Sequence, residues 1–308
     1  MASNIALADR TVVVTGGGRG LGEATAKAFA EHGANVVVND LGVTSEGEGS
    51  DPEPADETVS DIRDAGGEAT AHFGDVADLE YCEQLIADTV ETYGSVDTVI
   101  NFAGILRDNF LVNMTEDDWD QVVRVHLKGH FGLIRAAGRH WRQSYKDNDG
   151  HETERSFIAV SSAAARGNPG QINYSAAKAG VLGLMRTGAR ELQRYDVRVN
   201  ALMPVGLTRL VEGIPDDQLP DVDDEELAPE RVAPMAVFLG SDAADGVTGC
   251  TFASGGDGII YVTDPELRTA TYRDGGWTAE RIAEKFSQLT DMQETSKTDP
   301  GGLLHKLA

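Results

Sequence analysis

The 308-residue sequence is short of cysteine, of lysine and of long apolar runs, and each shortage excludes a class of protein. Its two cysteines, Cys82 and Cys250, stand far apart. Two distant thiols build neither a disulfide framework nor a zinc site, so a reducing, cytoplasmic setting with buried or idle thiols is expected. No apolar run reaches the roughly 20 residues of a membrane span, because glycines and charges interrupt every candidate. The opening MASNIALADR lacks a basic patch followed by an apolar stretch, so no signal peptide is expected. Seven lysines and 26 basic residues in all face 51 acidic ones, a formal net charge of −25. No basic stripe is left to neutralise phosphates, which excludes nucleic acid as a partner. The acid is spread along the chain and densest at residues 46–56 and 216–230. A solvated acidic surface poor in lysine suits a salt-rich, halophilic cytoplasm, where ions screen self-repulsion. An ordinary acidic protein is the other reading. His32, His72, His130, His140 and His151 have no metal-ligand spacing and are expected as surface or packing residues, and no metal site is expected.

What the chain does have is an alternation of two periodicities. Short β-branched runs at 11–15, 35–40, 68–75, 96–101, 156–162, 197–203 and 251–254 predict seven strands. Helical patterns lie between them, ending at His32 and Ala65 and then covering 78–93, 115–145, 171–194 and 229–239. Gly33 supplies a stop signal, and Thr115 with Asp118 resembles a capping box. This alternation predicts an α/β protein with a Rossmann-type, doubly wound, seven-stranded parallel sheet. There is no internal repeat and no Pro/Ser linker. Residues 1–263 are therefore expected as one domain and 264–308 as an extension, with an amphipathic helix near 279–289 able to cap a subunit or a neighbour's site.

Thr15-Gly-Gly-Gly-Arg-Gly-Leu-Gly22 joins the first strand to the first helix. Gly16 can make the tight turn, and Gly20 and Gly22 let the backbone approach a pyrophosphate and the helix pack on the sheet. Arg19 and Leu21 lie between them, and the helix N-terminus faces the anion. A glycine-rich loop alone is weak; its strand–loop–helix context gives it weight. Asp40 ends the second strand 18 residues after Gly22, where a carboxylate can accept hydrogen bonds from an adenosine ribose and repel a 2′-phosphate. NAD is the expected cofactor. Arg19 could reach a 2′-phosphate, so NADP stays open.

Tyr174 and Lys178 are four residues apart, on one face of the helix after the fifth strand. A tyrosine with a pKa of about 10 is a poor acid–base group at neutral pH, and a nearby ammonium stabilises its phenolate. Ser162, ending the fifth strand, can hydrogen-bond a substrate oxygen. With the phosphate loop, these residues predict hydride transfer between a nicotinamide dinucleotide and a carbonyl/alcohol pair.

On these motifs, residues 9–256 resemble the short-chain dehydrogenase/reductase family. The resemblance also rests on Asp75-Val76 and on Asn101-x-Ala103-Gly104. It implies that Tyr174 is the general acid/base, that Lys178 also holds the nicotinamide ribose, and that Ser162 polarises the carbonyl. It implies Asp75 and Val76 beside the adenine, and Asn101, Ala103 and Gly104 along the cofactor cleft. It further implies a homodimer or homotetramer built on two long helices. The sequence departs from the family pattern in three places. Phe102 interrupts the usual Asn-Asn-Ala-Gly. His126 stands where an Asn commonly completes the catalytic set, either serving in the proton relay or packing at a helix kink. Tyr174 lies 12 residues after Ser162 but 13 after Ser161, and the longer gap is the usual one. Strand-end geometry favours Ser162; counting back from Tyr174 favours Ser161.

Finer motifs, VVVNDLG at 36–42, GILRD at 104–108 and GNPGQINYSAAK at 167–178, resemble the (3R)-hydroxyacyl-CoA dehydrogenase part of peroxisomal multifunctional enzyme type 2. That subgroup also carries the His, and its enoyl-CoA hydratase region has no counterpart here. The implied reaction is NAD-linked interconversion of (3R)-hydroxyacyl and 3-oxoacyl thioesters, with a small acyl thioester as the partner. A 3-oxoacyl-ACP or acetoacetyl-CoA reductase, a steroid or other secondary-alcohol dehydrogenase, and a non-catalytic cofactor sensor are alternatives. Residues 206–230, expected to cover the substrate, do not choose among them.

Overall fold

Val-rich runs become strands where helices cover both faces of the sheet, and the first strand shows this most fully. In β1, Thr11–Thr15, all five residues are buried. A computed structural model describes residues 5–150, 154–205, 227–263, 265 and 273–289. Six more strands follow the same logic: β2 (Asn35–Asp40), β3 (Glu68–Phe73), β4 (Thr98–Asn101), β5 (Arg155–Val160), β6 (Val197–Pro204) and β7 (Thr251–Gly255). All seven expected strands pair in parallel, in the order β3-β2-β1-β4-β5-β6-β7. An eighth, β8 (Gly258–Val262), adds to the β7 edge in antiparallel. The sheet thus has eight strands rather than seven. Gly255 pairs with Gly258 around a two-residue turn whose Gly256 has φ +54°, a hairpin that needs glycine at that position.

Helices α1 (Gly20–Glu31) and α2 (Glu53–Asp64) pack on one face together with α7 (Ala233–Gly240). Phe29, Val59, Ile62 and Leu239 meet Val12, Val14 and Val36 there. On the other face lie α3 (Leu79–Tyr93), α5 (Gly129–Asp147) and α6 (Ile172–Leu192), where Leu85, Leu133, Trp141 and Met185 meet Val13, Val99 and Phe157. Trp141 is fully buried, and its indole N–H donates to Val96 O at 2.7 Å.

The expected long helix at 115–145 is broken. The capping box forms at Thr115 and Asp118 and starts α4, Glu116–Val123. A π-helical segment, Arg124–Lys128, then leads into α5. A π turn holds one extra residue, which a 3.6-residue pattern cannot register, and here it carries His126.

From β1 the chain moves outward to β2 and β3, then returns to β4 on the far side of β1. Such a reversal opens a crevice at the carboxyl ends of the strands. The described residues divide into two compact units, one ending at Val262 and one running from Thr263 to Leu289. The second contains α8, Ala279–Leu289, with Ile282 exposed. No helix among the described residues is long and apolar enough to cross a membrane.

Candidate active site

The crevice is a cavity of about 760 Å³ at the carboxyl ends of β1, β2, β4 and β5. Its first wall is the glycine loop. Gly16 has φ +66°, and a Cβ there would stand 2.5 Å from Ala103 N. A Cβ on Gly22 would stand 2.0 Å from Gly16 O. Only glycine permits this approach of backbone to backbone. Arg19 is the extended N-cap of α1 and makes no side-chain cap, so the first N–H groups of the helix are left to an anion. Arg19, Gly20 and Leu21 line the cavity beside them. This cradle fits the diphosphate of a dinucleotide.

Asp40 lines the next stretch of wall. Its carboxylate is aimed by two backbone donors, Gly18 N–H to Oδ2 at 2.9 Å and Gly42 N–H to Oδ1 at 2.7 Å. Asp75 and Val76 follow. Asp75 accepts from Ala77 N–H at 2.8 Å and forms an ion pair with Arg124, which also lines the cavity. Ala103 and Gly104 line it, and Asn101 is not among the lining residues. The Asn101 side chain is fully buried behind them, where Oδ1 accepts from Thr15 Oγ1 at 2.6 Å and from Ala103 N–H at 3.1 Å. It shapes the cleft loop from behind.

At the far end Ser162, Tyr174, Lys178 and His126 converge. Tyr174 is hydrogen-bonded to Ser162. Ser161 also lines the cavity, but its hydroxyl is committed: Oγ donates to Lys178 O at 2.8 Å, which ties the end of β5 to α6. Lys178 Nζ donates to Val160 O at 2.8 Å and lies 5.5 Å from the Tyr174 ring centroid. Burial pushes the Tyr174 phenol up to about 12, opposed by the Ser162 hydrogen bond and assisted by the Asp108 charge. Burial also brings Lys178 down to about 7. The lowered phenol expected from the sequence is therefore not found in the protein without cofactor, because desolvation by burial dominates at Tyr174.

His126 stands edge-on to the Tyr174 ring at 5.0 Å. Its Nε2 lies between two backbone groups of Ile105, the carbonyl oxygen at 2.8 Å and the N–H at 3.2 Å, and its buried Nδ1 has no protein partner. Burial and the Lys178 charge hold its pKa well below the usual histidine range. Gly104 is obligatory here, since a Cβ would meet His126 Cε1 at 2.3 Å.

Sequence reasoning missed a polar chain at the mouth. Asn168 Nδ2 donates to Gln171 Oε1 at 2.7 Å, and Gln171 Nε2 donates to Asp108 at 2.6 Å. Asn168 and Gln171 line the cavity. The start of α6 just before Tyr174 was the available signal. Among the described residues no cluster of three or more His, Cys, Asp or Glu could hold a metal. Residues 206–226, most of the stretch expected to cover the substrate, lie outside the described residues.

A family profile described as short chain dehydrogenase matches residues 10–217. The chain belongs to the short-chain dehydrogenase family. It is an oxidoreductase acting on CH–OH groups, and dehydrogenases of this family use NAD(P). It is 38% identical to peroxisomal multifunctional enzyme type 2 of Mus musculus over 96% of this chain, and spans only 39% of that enzyme's length. It is 38% identical to a hydroxyacyl-CoA dehydrogenase of Mycobacterium tuberculosis, over 87% of this chain and 84% of the relative. A crystal structure of a short chain dehydrogenase from Mycobacterium avium superposes with a TM-score of 0.82 at 38% identity, covering 92% of this chain and 95% of the other.

Proposed function

We propose that this dehydrogenase interconverts (3R)-hydroxyacyl and 3-oxoacyl thioesters of coenzyme A, with NAD as its cofactor. One observation carries the reading: the Ser162–Tyr174–Lys178 group and the glycine cradle ending at Asp40 open into one cavity. The name of the mycobacterial relative, a hydroxyacyl-CoA dehydrogenase, supports the thioester.

The bound nicotinamide supplies the hydride acceptor for the carbon bearing the alcohol. The chain does the rest. Gly16, Gly20, Gly22 and the N-terminus of α1 hold the diphosphate, with Arg19 and Leu21 flanking it. Asp40 accepts hydrogen bonds from the adenosine ribose and repels a 2′-phosphate. Asp75 and Val76 bound the adenine, and Ala103 and Gly104 the middle of the cofactor. Ser162 holds the substrate oxygen, Tyr174 takes the alcohol proton, and Lys178 holds the nicotinamide ribose while its charge favours the phenolate. His126 offers its unpartnered Nδ1 to a relay water beside Tyr174. Residues 1–263 are the catalytic unit and 264–308 an extension. The exposed Trp119, Phe131 and Ile172 on α4, α5 and α6 support a homodimer or homotetramer in a cytoplasmic setting.

The test is absorbance at the nicotinamide band with (3R)- and (3S)-3-hydroxybutyryl-CoA, each with NAD and NADP. The expected result is turnover of the (3R) thioester with at least about tenfold higher kcat/KM for NAD, the discrimination of roughly 1.4 kcal/mol that one disfavoured charge contact supplies. Comparable kcat/KM with NADP defeats the Asp40 assignment. Turnover of simple secondary alcohols but of no thioester defeats the substrate assignment.

A further inference from the structure

His130 lies on α5 one turn after His126, is fully buried, and is not among the cavity-lining residues. Both of its ring nitrogens are used. Nε2 accepts from the backbone N–H of Val160 at 3.0 Å. An N–H can only donate, so Nε2 is bare and the proton sits on Nδ1. That nitrogen is 2.6 Å from His126 O, which can only accept, so the two backbone contacts agree on one tautomer; the third neighbour, Asn101 Nδ2 at 2.9 Å from Nδ1, is itself a donor and is not bonded by it. One imidazole therefore joins the last residue of β5 to the π-helical segment.

Each end of this link carries part of the active site. Val160 O receives Lys178 Nζ, and the next two residues are Ser161, bonded to Lys178 O, and Ser162, bonded to Tyr174. At the other end, the His126 ring stands against Tyr174. The His126 carbonyl, which also receives the Gly129 backbone N–H, is met by this side chain. Burial and the Lys178 charge push the His130 pKa down to about 3, so the tautomer is constant across working pH.

We propose that His130 is a positioning residue, whose imidazole fixes the end of β5 against the π segment in the register that brings Ser162, Tyr174, Lys178 and His126 together. The proposal rests on the assignment of Tyr174 and Lys178 as the proton-transfer pair. It predicts a loss in kcat rather than in cofactor binding, since a displacement of about 1 Å at reacting groups can lower rates by the order of 100-fold.

The test compares H130L and H130Q in the full chain, with kcat and KM for (3R)-3-hydroxybutyryl-CoA measured separately from the Kd for NAD. Expected is a kcat drop on the order of 100-fold in H130L with little change in NAD Kd. In H130Q, whose amide can accept from Val160 and donate to His126, most of kcat returns. An unchanged kcat in H130L overturns the proposal. So does H130Q no better than H130L with kcat, Kd and Tm lost together, the pattern of a packing residue. Should H130L fail to fold, nitrogen-15 NMR of histidine-labelled wild type decides. His130 protonated on Nδ1 and untitrated down to about pH 5, well below the free pKa of about 6.5, upholds it. An Nε2–H tautomer, or titration in the ordinary histidine range, overturns it. The NMR result is independent of turnover, so a wrong substrate assignment leaves it standing.

Discussion

Two adjacent serines with opposite fates show how single residues carry the account. Ser161 spends its hydroxyl on the Lys178 carbonyl, whereas Ser162 is bonded to Tyr174 at the cavity wall. Ser162→Ala should lower kcat by roughly 100-fold or more, as loss of an aligned oxygen-holding donor does, while Ser161→Ala should leave kcat within about threefold and cost about 1 kcal/mol of stability. Steady-state kinetics and thermal melts of both variants check this; the reverse order would move the catalytic role to Ser161. Sequence alone could not separate the pair, because strand-end geometry and loop spacing pointed to different serines. Lys178 carries a second consequence. An unfolded chain keeps a lysine proton to about pH 10.4, but the buried side chain loses it near 7. Between those values the unfolded state binds more protons, so this residue makes stability rise with pH. In the cofactor-free protein, Lys178→Met should therefore melt higher relative to wild type at pH 6 than at pH 10. A difference in Tm that is flat with pH would contradict the buried, depressed lysine.

At the scale of elements, the glycine loop is the part most legible in the sequence, because its requirement is steric and local. Gly22→Ala places a Cβ 2.0 Å from Gly16 O. It should weaken NAD binding by more than about tenfold and lower Tm, since a backbone contact of this kind has no flexible end to move and overpacking costs roughly 1–3 kcal/mol. Isothermal titration with NAD checks it, and wild-type affinity in the variant would mean that the loop does not hold the diphosphate. The parallel strands were equally legible: continuous Val runs such as β1 and β2 are buried on both faces. Three features were not. β8 follows a Gly256-Asp257 turn with alternating exposure, a hairpin signal present in the sequence but beyond the last strand expected. The π segment is invisible to helical periodicity, because it changes the period itself. The role of His130 depends on Val160, a partner brought to it only by the fold.

The whole molecule carries 51 acidic against 26 basic residues. Several acids are paired, as in Arg155–Asp97 and in Glu83 with Arg135 and Arg139, but the excess leaves a surface that repels itself. Screening shortens from about 10 Å at 0.1 M salt to about 3 Å at 1 M. If the surface is adapted to high salt, Tm should rise by several degrees from dilute buffer to molar KCl, by circular dichroism; equal or lower Tm in KCl would leave an ordinary acidic protein. The central claim, though, is chemical: one cavity brings a secondary alcohol to a nicotinamide and moves a hydride between them. Incubating the protein with NAD and (3R)-3-hydroxybutyryl-CoA deuterated at C3, then weighing the reduced dinucleotide by mass spectrometry, tests it most directly. The account predicts one deuterium per reduced nicotinamide, with the signal abolished in Tyr174→Phe. Reduced dinucleotide without deuterium, or undiminished formation in Tyr174→Phe, would contradict it.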